Sequence, residues 1–126
     1  EAEITTPDLE YRSGMELAYK CLRNDKITGI VAINDMVAFG VLDALQREGY
    51  RVPEDISLLG MDDIQLCTMV TPMLSTIHQP LREIAQESIR IIMENEPGAK
   101  PQPRRVFLTP TLQVRESTAP PNPVAD

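Results

Sequence analysis

Tryptophan is absent from this 126-residue chain, and Phe and Tyr bring the aromatic share to only 4%. A core built from it must be aliphatic. Histidine occurs once, at His78, and the two cysteines, Cys21 and Cys67, form no C-x-x-C pair. That scarcity excludes the usual His/Cys metal constellations and the imidazole-paired nucleophiles, and the two thiols read as reduced, in a reducing compartment. The six glycines compose no phosphate-cradling loop and flank no G-x-S-x-G turn. No apolar run approaches the ~20 residues of a membrane span, and no basic stretch followed by an apolar one opens the chain. The expectation is a soluble protein without a leader, a metal, a cofactor or a membrane partner.

Positive charge is also scarce. Twelve Lys and Arg stand against 19 Asp and Glu, a net charge of -7, and Arg104-Arg105 is the only basic pair. Binding nucleic acid requires clustered cations to neutralise phosphates, so this segment is not expected to touch DNA directly. What is present is an ordinary apolar fraction, 42%, in a length that suits one domain and buries roughly two-thirds of its unfolded surface.

The pattern along the chain alternates helix and strand. Met15, Leu17, Ala18, Cys21 and Leu22 recur at helical spacing from Ser13 onward, and Asn24-Asp25 stops them. Ile27 to Ile33 is a β-branched apolar run without alternation, as in a strand buried on both faces of a parallel sheet. Asn34-Asp35 ends it, and a second helix runs from there to Gly49, a residue suited to a left-handed C-cap. Ile56 to Gly60 is a second strand ending in acid, at Asp62-Asp63, and Ser75 to Gln79 is a third, halted by Pro80. Leu81, Ile84, Ala85, Ser88, Ile91 and Ile92 make the cleanest amphipathic helix, over 81–93. A Pro- and Gly-rich linker over 96–103 precedes strand-like pieces at Arg105–Leu108 and Thr111–Arg115, and seven of the 11 prolines lie after Glu96. The fold class is therefore α/β, a parallel sheet with flanking helices and right-handed crossovers.

Ligands of open parallel sheets bind outside the carboxyl ends of the strands. Asn34, Asp35, Asp62 and Asp63 fall at such ends and offer carboxylate acceptors and one mixed donor–acceptor amide, a set suited to hydroxyl-rich ligands. Each also has a purely structural reading: Asp35 caps the second helix, and one of Asp62 and Asp63 caps a following turn. A third reading, a divalent-metal enzyme using Asp62 and Asp63, suits adjacent carboxylates but lacks a strand-end lysine, since Lys20, Lys26 and Lys100 lie elsewhere.

Four ordered motifs narrow the choice. Ala32-Ile33-Asn34-Asp35-Met36-Val37-Ala38-Phe39-Gly40, Val52 to Asp63 (VPEDISLLGMDD), Thr71-Pro72 with Thr76-Ile77-His78-Gln79-Pro80, and Arg115-Glu116-Ser117-Thr118 together resemble the LacI/GalR family of bacterial repressors, over about nine-tenths of the chain. The resemblance implies the carboxyl-terminal portion of an effector-binding core with a periplasmic-binding-protein-like fold of two subdomains around a cleft. It places 1–79 and 104–118 in the second subdomain, 80–103 as helix and linker of the first, and 119–126 as a disordered tail. It implies a cytoplasmic, non-enzymatic regulator with a sugar-like effector held by Asn34, Asp62 and Gln79. Leu9 stands where the family often has a stacking aromatic, which removes a sugar platform. Asp35 becomes a helix cap and Asp63 a supporting residue. A homodimer interface is implied through Phe39, Val41, Met69 and Val70, for which the alternative is monomer core.

The resemblance further implies that a DNA-reading helix-turn-helix and most of the first subdomain lie upstream of Glu1, so that these residues alone bind effector weakly or not at all. The stripe on 81–93 then lacks its family sheet and is expected to pack on the chain's own sheet or on a second copy. The competing reading in the same fold is a periplasmic sugar-binding protein of a transporter.

Overall fold

A computed structural model describes residues 8–23, 27–94 and 103–121. In chain order the elements are α1 (Tyr11–Cys21), β1 (Gly29–Val31), α2 (Asp35–Arg47), β2 (Ser57–Asp62), a 3-10 helix (Gln65–Thr68), β3 (Ser75–His78), α3 (Leu81–Met93) and β4 (Thr111–Gln113). One sheet runs in the order β1-β2-β3-β4. The first three strands are parallel and β4 returns antiparallel on β3, with Ile77 opposite Leu112. The α/β class holds, with this one antiparallel edge.

Helix α2 packs on β2, and α1 packs on α2. The core between them is aliphatic, as the missing aromatics require: Val37, Val41, Leu45, Leu58 and Leu74 are all within 2% of full burial. Two glycines set how closely the helices cross. A Cβ on Gly14 would collide with the Val37 carbonyl, and one on Gly40 with the Tyr11 carbonyl. Helix α2 ends as its sequence suggests, with Gly49 at φ +82. The Gly49 and Tyr50 amides donate to the Gln46 and Leu45 carbonyls, the paired closure of a glycine-terminated helix.

Several expectations need correcting. The first strand is three residues long and not buried on both faces, because no described element covers its outer side: Val31 is 72% exposed. By register Val31, Leu59, Met61, Ile77 and Leu112 share that face. Arg105–Leu108 forms no strand. Ala119, the first residue of the expected tail, is held to β2: Ser57 Oγ donates to its carbonyl and accepts from its amide, both at 3.0 Å. Residues 96–102 of the expected linker, Asn24-Asp25 and residues 122–126 lie outside the described residues. Helix α3 has the predicted boundaries, yet none of its residues is buried; it does not pack on the chain's own sheet, and Leu81, Ile89 and Ile92 are 60%, 61% and 69% exposed.

Candidate functional site at the carboxyl edge of the sheet

The chain leaves β1 in extended conformation, and Asn34 is the first polar side chain past the strand. Its Oδ1 accepts the Val37 amide at 2.8 Å, which makes Asn34 the N-cap of α2. The amide group has a second end, and Nδ2 donates to the Leu9 carbonyl at 3.0 Å, tying the entry of α1 to the same edge. Leu9 itself leaves its side chain half exposed there. The expected capping role of Asp35 therefore belongs to its neighbour.

Asp35 turns inward and is fully buried. Its Oδ1 accepts from Thr76 Oγ1 at 2.7 Å, and its Oδ2 from the Ile64 amide at 3.0 Å and from Cys67 Sγ at 3.1 Å. Gly60 makes room, since a Cβ there would collide with Asp35 Oδ1. Burial, and then the Asp35 hydrogen bond and charge, push the Cys67 thiol up to about 12, so it stays protonated and donates. The position of Asp35 at the first turn of α2 adds the helix's partial positive charge to these three donors.

At the end of β2 the backbone turns left-handed twice, with φ +118 at Asp62 and +59 at Asp63. The two carboxylates consequently reach different partners. Asp62 Oδ1 accepts from Gln79 Nε2 at 2.6 Å, beyond the end of β3, and Oδ2 accepts from no described residue. Asp63 pairs through Oδ1 with Arg115 at 2.5 Å and through Oδ2 with His78 Nδ1 at 3.0 Å. Burial raises the Asp63 carboxyl, but the Arg115 hydrogen bond and charge, with His78, outweigh it and hold the group below the usual carboxylate range. Both oxygens of Asp63 are thus committed, one to an ion pair with Arg115 and one to a hydrogen bond with His78. Asp62 is not so committed, and among the described residues no group of three or more His, Cys, Asp or Glu is arranged to hold a metal.

The ligand-side residues read from the sequence therefore stand as two hydrogen-bonded pairs, Leu9 with Asn34 and Asp62 with Gln79, along one edge of adjacent strands. What the edge can do chemically is accept hydrogen bonds from hydroxyls at Asp62. Sequence reasoning missed Arg115, Thr76 and Ser117 as supports. Ser117 is fully buried, takes the Ser75 amide on Oγ at 2.8 Å and donates to the Leu58 carbonyl at 2.6 Å. The Arg115–Thr118 motif was the available signal.

A second feature lies away from that edge. A groove of about 290 Å³ between α2 and the 3-10 helix is lined on its apolar side by Met36, Phe39, Leu42, Leu66 and Val70. Phe39 and Val70, expected at an interface, line it, and Met69 is 68% exposed. Val41 does not belong with them: at 1% exposure it faces the other way, into the core. Polar groups rim the groove, with Tyr11 Oη donating to Asp43 Oδ2 at 2.6 Å and Gln46 Nε2 to the Thr71 carbonyl at 2.7 Å.

The model of the periplasmic binding protein-like domain matches residues 2–118. The transcriptional repressor PurR of Photobacterium profundum is 38% identical over 116 residues, covering 90% of this chain and 34% of that protein. The ribose operon repressor of Escherichia coli is 34% identical over 113 residues, covering 89% of this chain and 34% of its own length. Among solved structures, a LacI family transcriptional regulator from Enterococcus faecium with bound ribose superposes at a TM-score of 0.77, with 32% identity, over 90% of this chain and 42% of that one. The chain thus spans about a third of the length of these repressors. The LacI/GalR resemblance read from the motifs is borne out, and these relatives are regulators rather than enzymes.

Proposed function

The chain belongs to the periplasmic binding protein-like domain family, and on that footing we propose that it forms the effector-sensing and dimerisation part of a LacI/GalR-type bacterial transcriptional regulator. The observation that carries this reading is the alignment of Asn34, Asp62 and Gln79 at the ends of three adjacent parallel strands. A small hydroxyl-rich ligand, a sugar or a related metabolite, donates to the open oxygen of Asp62, while Leu9 offers an aliphatic contact instead of a stacking surface. An acidic chain does not hold DNA by itself; DNA contact belongs to a helix-turn-helix outside these residues, in a cytoplasmic protein.

Two copies meet through the groove beside α2, with Phe39, Met69 and Val70 at the contact. Effector then acts by population shift: it favours one arrangement of the dimer over another only as far as it binds that arrangement better, about 5.5 kcal/mol for a complete switch. Proton–nitrogen shift titration with D-ribose at millimolar concentrations tests the ligand half. Saturable shifts at Asn34, Asp62 and Gln79, weak in these residues alone, support it; shifts confined to other surfaces, or none in the full-length protein, reject it. Sedimentation tests the dimer half, with Val70→Lys expected to leave a monomer.

A further inference from the structure

We propose that Asp35 is the positioning residue of the ligand edge: its buried carboxylate, acting through Thr76, holds the doubly left-handed backbone that presents Asp62. Two consecutive non-glycine residues at positive φ, Asp62 and Asp63, do not persist unless surrounding bonds over-determine them. Two such bonds lie immediately downstream. The Asp63 amide donates to Thr76 Oγ1 at 3.3 Å, and the Ile64 amide donates to Asp35 Oδ2 at 3.0 Å. Thr76 has one hydroxyl proton, and it goes to Asp35 Oδ1 at 2.7 Å. Its lone pair is thereby turned to the Asp63 amide.

The direction of every bond in this chain is thus set by the one group that only accepts, the Asp35 carboxylate. Its own position is set by the start of α2, one residue after the cap Asn34, and by the absence of a side chain on Gly60. Asp35 consequently fixes Asp62 relative to Asn34, the two edge residues that come from different strands. The same Oδ2 takes the Cys67 thiol of the 3-10 helix at 3.1 Å, and the neighbouring Leu66 lines the groove. One carboxylate therefore holds the ligand edge and one wall of the groove in a common frame. The consequence for ligand rests on the proposed function; the backbone consequence does not.

Amide hydrogen exchange in Thr76→Val, Thr76→Ser and Asp35→Asn separates positioning from general stability. Thr76→Val keeps the shape and removes the relay, Thr76→Ser keeps the relay, and Asp35→Asn puts a donor either on the Ile64 amide or on Thr76 Oγ1, which disturbs the direction of the bonds in both orientations. In Thr76→Val the Asp63 amide, which loses its acceptor, is expected to exchange about tenfold faster, the worth of one net hydrogen bond, and the Ile64 amide, loosened with the turn, is expected to exchange faster as well. The Ala32 and Leu58 amides, bonded to the Leu59 and Ser117 carbonyls, keep their rates, and Thr76→Ser stays close to the parent. Asp35→Asn, where it folds, repeats the Thr76→Val pattern. Unchanged exchange at Asp63 and Ile64, or an equal acceleration at all four amides, overturns the proposal. A full-length protein that shows no ribose response rejects the ligand reading alone and leaves the exchange result to stand.

Discussion

Gln79 Nε2 donates to Asp62 Oδ1 at 2.6 Å, joining the residue that follows β3 to the last residue of β2. The donor is an uncharged amide and the acceptor a carboxylate, so a change of one atom in Gln79 reverses the interaction. Gln79→Glu places two carboxylates at contact, and it is expected to lower stability by about 1–2 kcal/mol at pH 7. Urea denaturation of the two proteins at pH 7 checks the sign.

Neighbouring residues at the end of β1 differ in what their removal costs. Asn34→Ala removes a helix cap, for an expected loss of about 1 kcal/mol. Asp35→Ala strands three buried donors and opens a cavity, for an expected loss of about 3 kcal/mol or more. Denaturant midpoints for the two variants, at unchanged slope, give the order. Had Asp35 been the cap, the order would be reversed.

The helix crossing gives a third test. At Gly40 an added methyl meets the Tyr11 carbonyl, which is backbone and has nowhere to go. Gly40→Ala is expected to cost about 2 kcal/mol or more by separating α1 from α2. Gly49→Ala meets nothing within 4 Å and costs only the strain of its positive φ, about 1 kcal/mol. Thermal unfolding of the two variants separates steric overlap from backbone strain.

Acid stability reports on the Asp63–Arg115 pair. The Asp63 carboxyl is held below its ordinary value in the folded chain, chiefly by Arg115 against the opposing effect of burial. Its stabilising contribution is therefore complete above the unfolded value of about 3.9 and is lost as pH falls through the lower folded value. Asp63→Asn is expected to flatten the stability profile below about pH 4 and to lower its neutral plateau. Denaturation midpoints taken across pH 2 to 7 check this.

How much of this was legible in the sequence depended on whether local pattern or distant contact decides the outcome. Helix α3 was read to the residue because its apolar period is clean, although nothing local says what covers it. The choice between Asn34 and Asp35 as cap was not legible. Both are good caps, and the decision comes from Thr76, Ile64 and Cys67, 29 to 41 positions away. Val41 was misplaced because α2 is apolar on most sides, so its period does not separate core from groove. The carboxyl ends of the strands were found to within two residues because polar residues interrupt apolar runs there. The left-handed turn that sends Asp62 and Asp63 to different partners left no local trace, since neither residue is a glycine.

The division of labour between those two carboxylates is the central claim, and D-ribose affinity in Asp62→Asn and Asp63→Asn of the full-length protein, measured side by side by shift titration, tests it most directly. Asp62→Asn removes the charge from the open acceptor and is expected to weaken binding about tenfold, as for a hydrogen bond to a charged group. Asp63→Asn keeps the αL-tolerant shape and is expected to bind within about threefold of the parent while being less stable. Equal losses in the two variants, or a larger loss in Asp63→Asn, would contradict the assignment of Asp62 to ligand and Asp63 to structure.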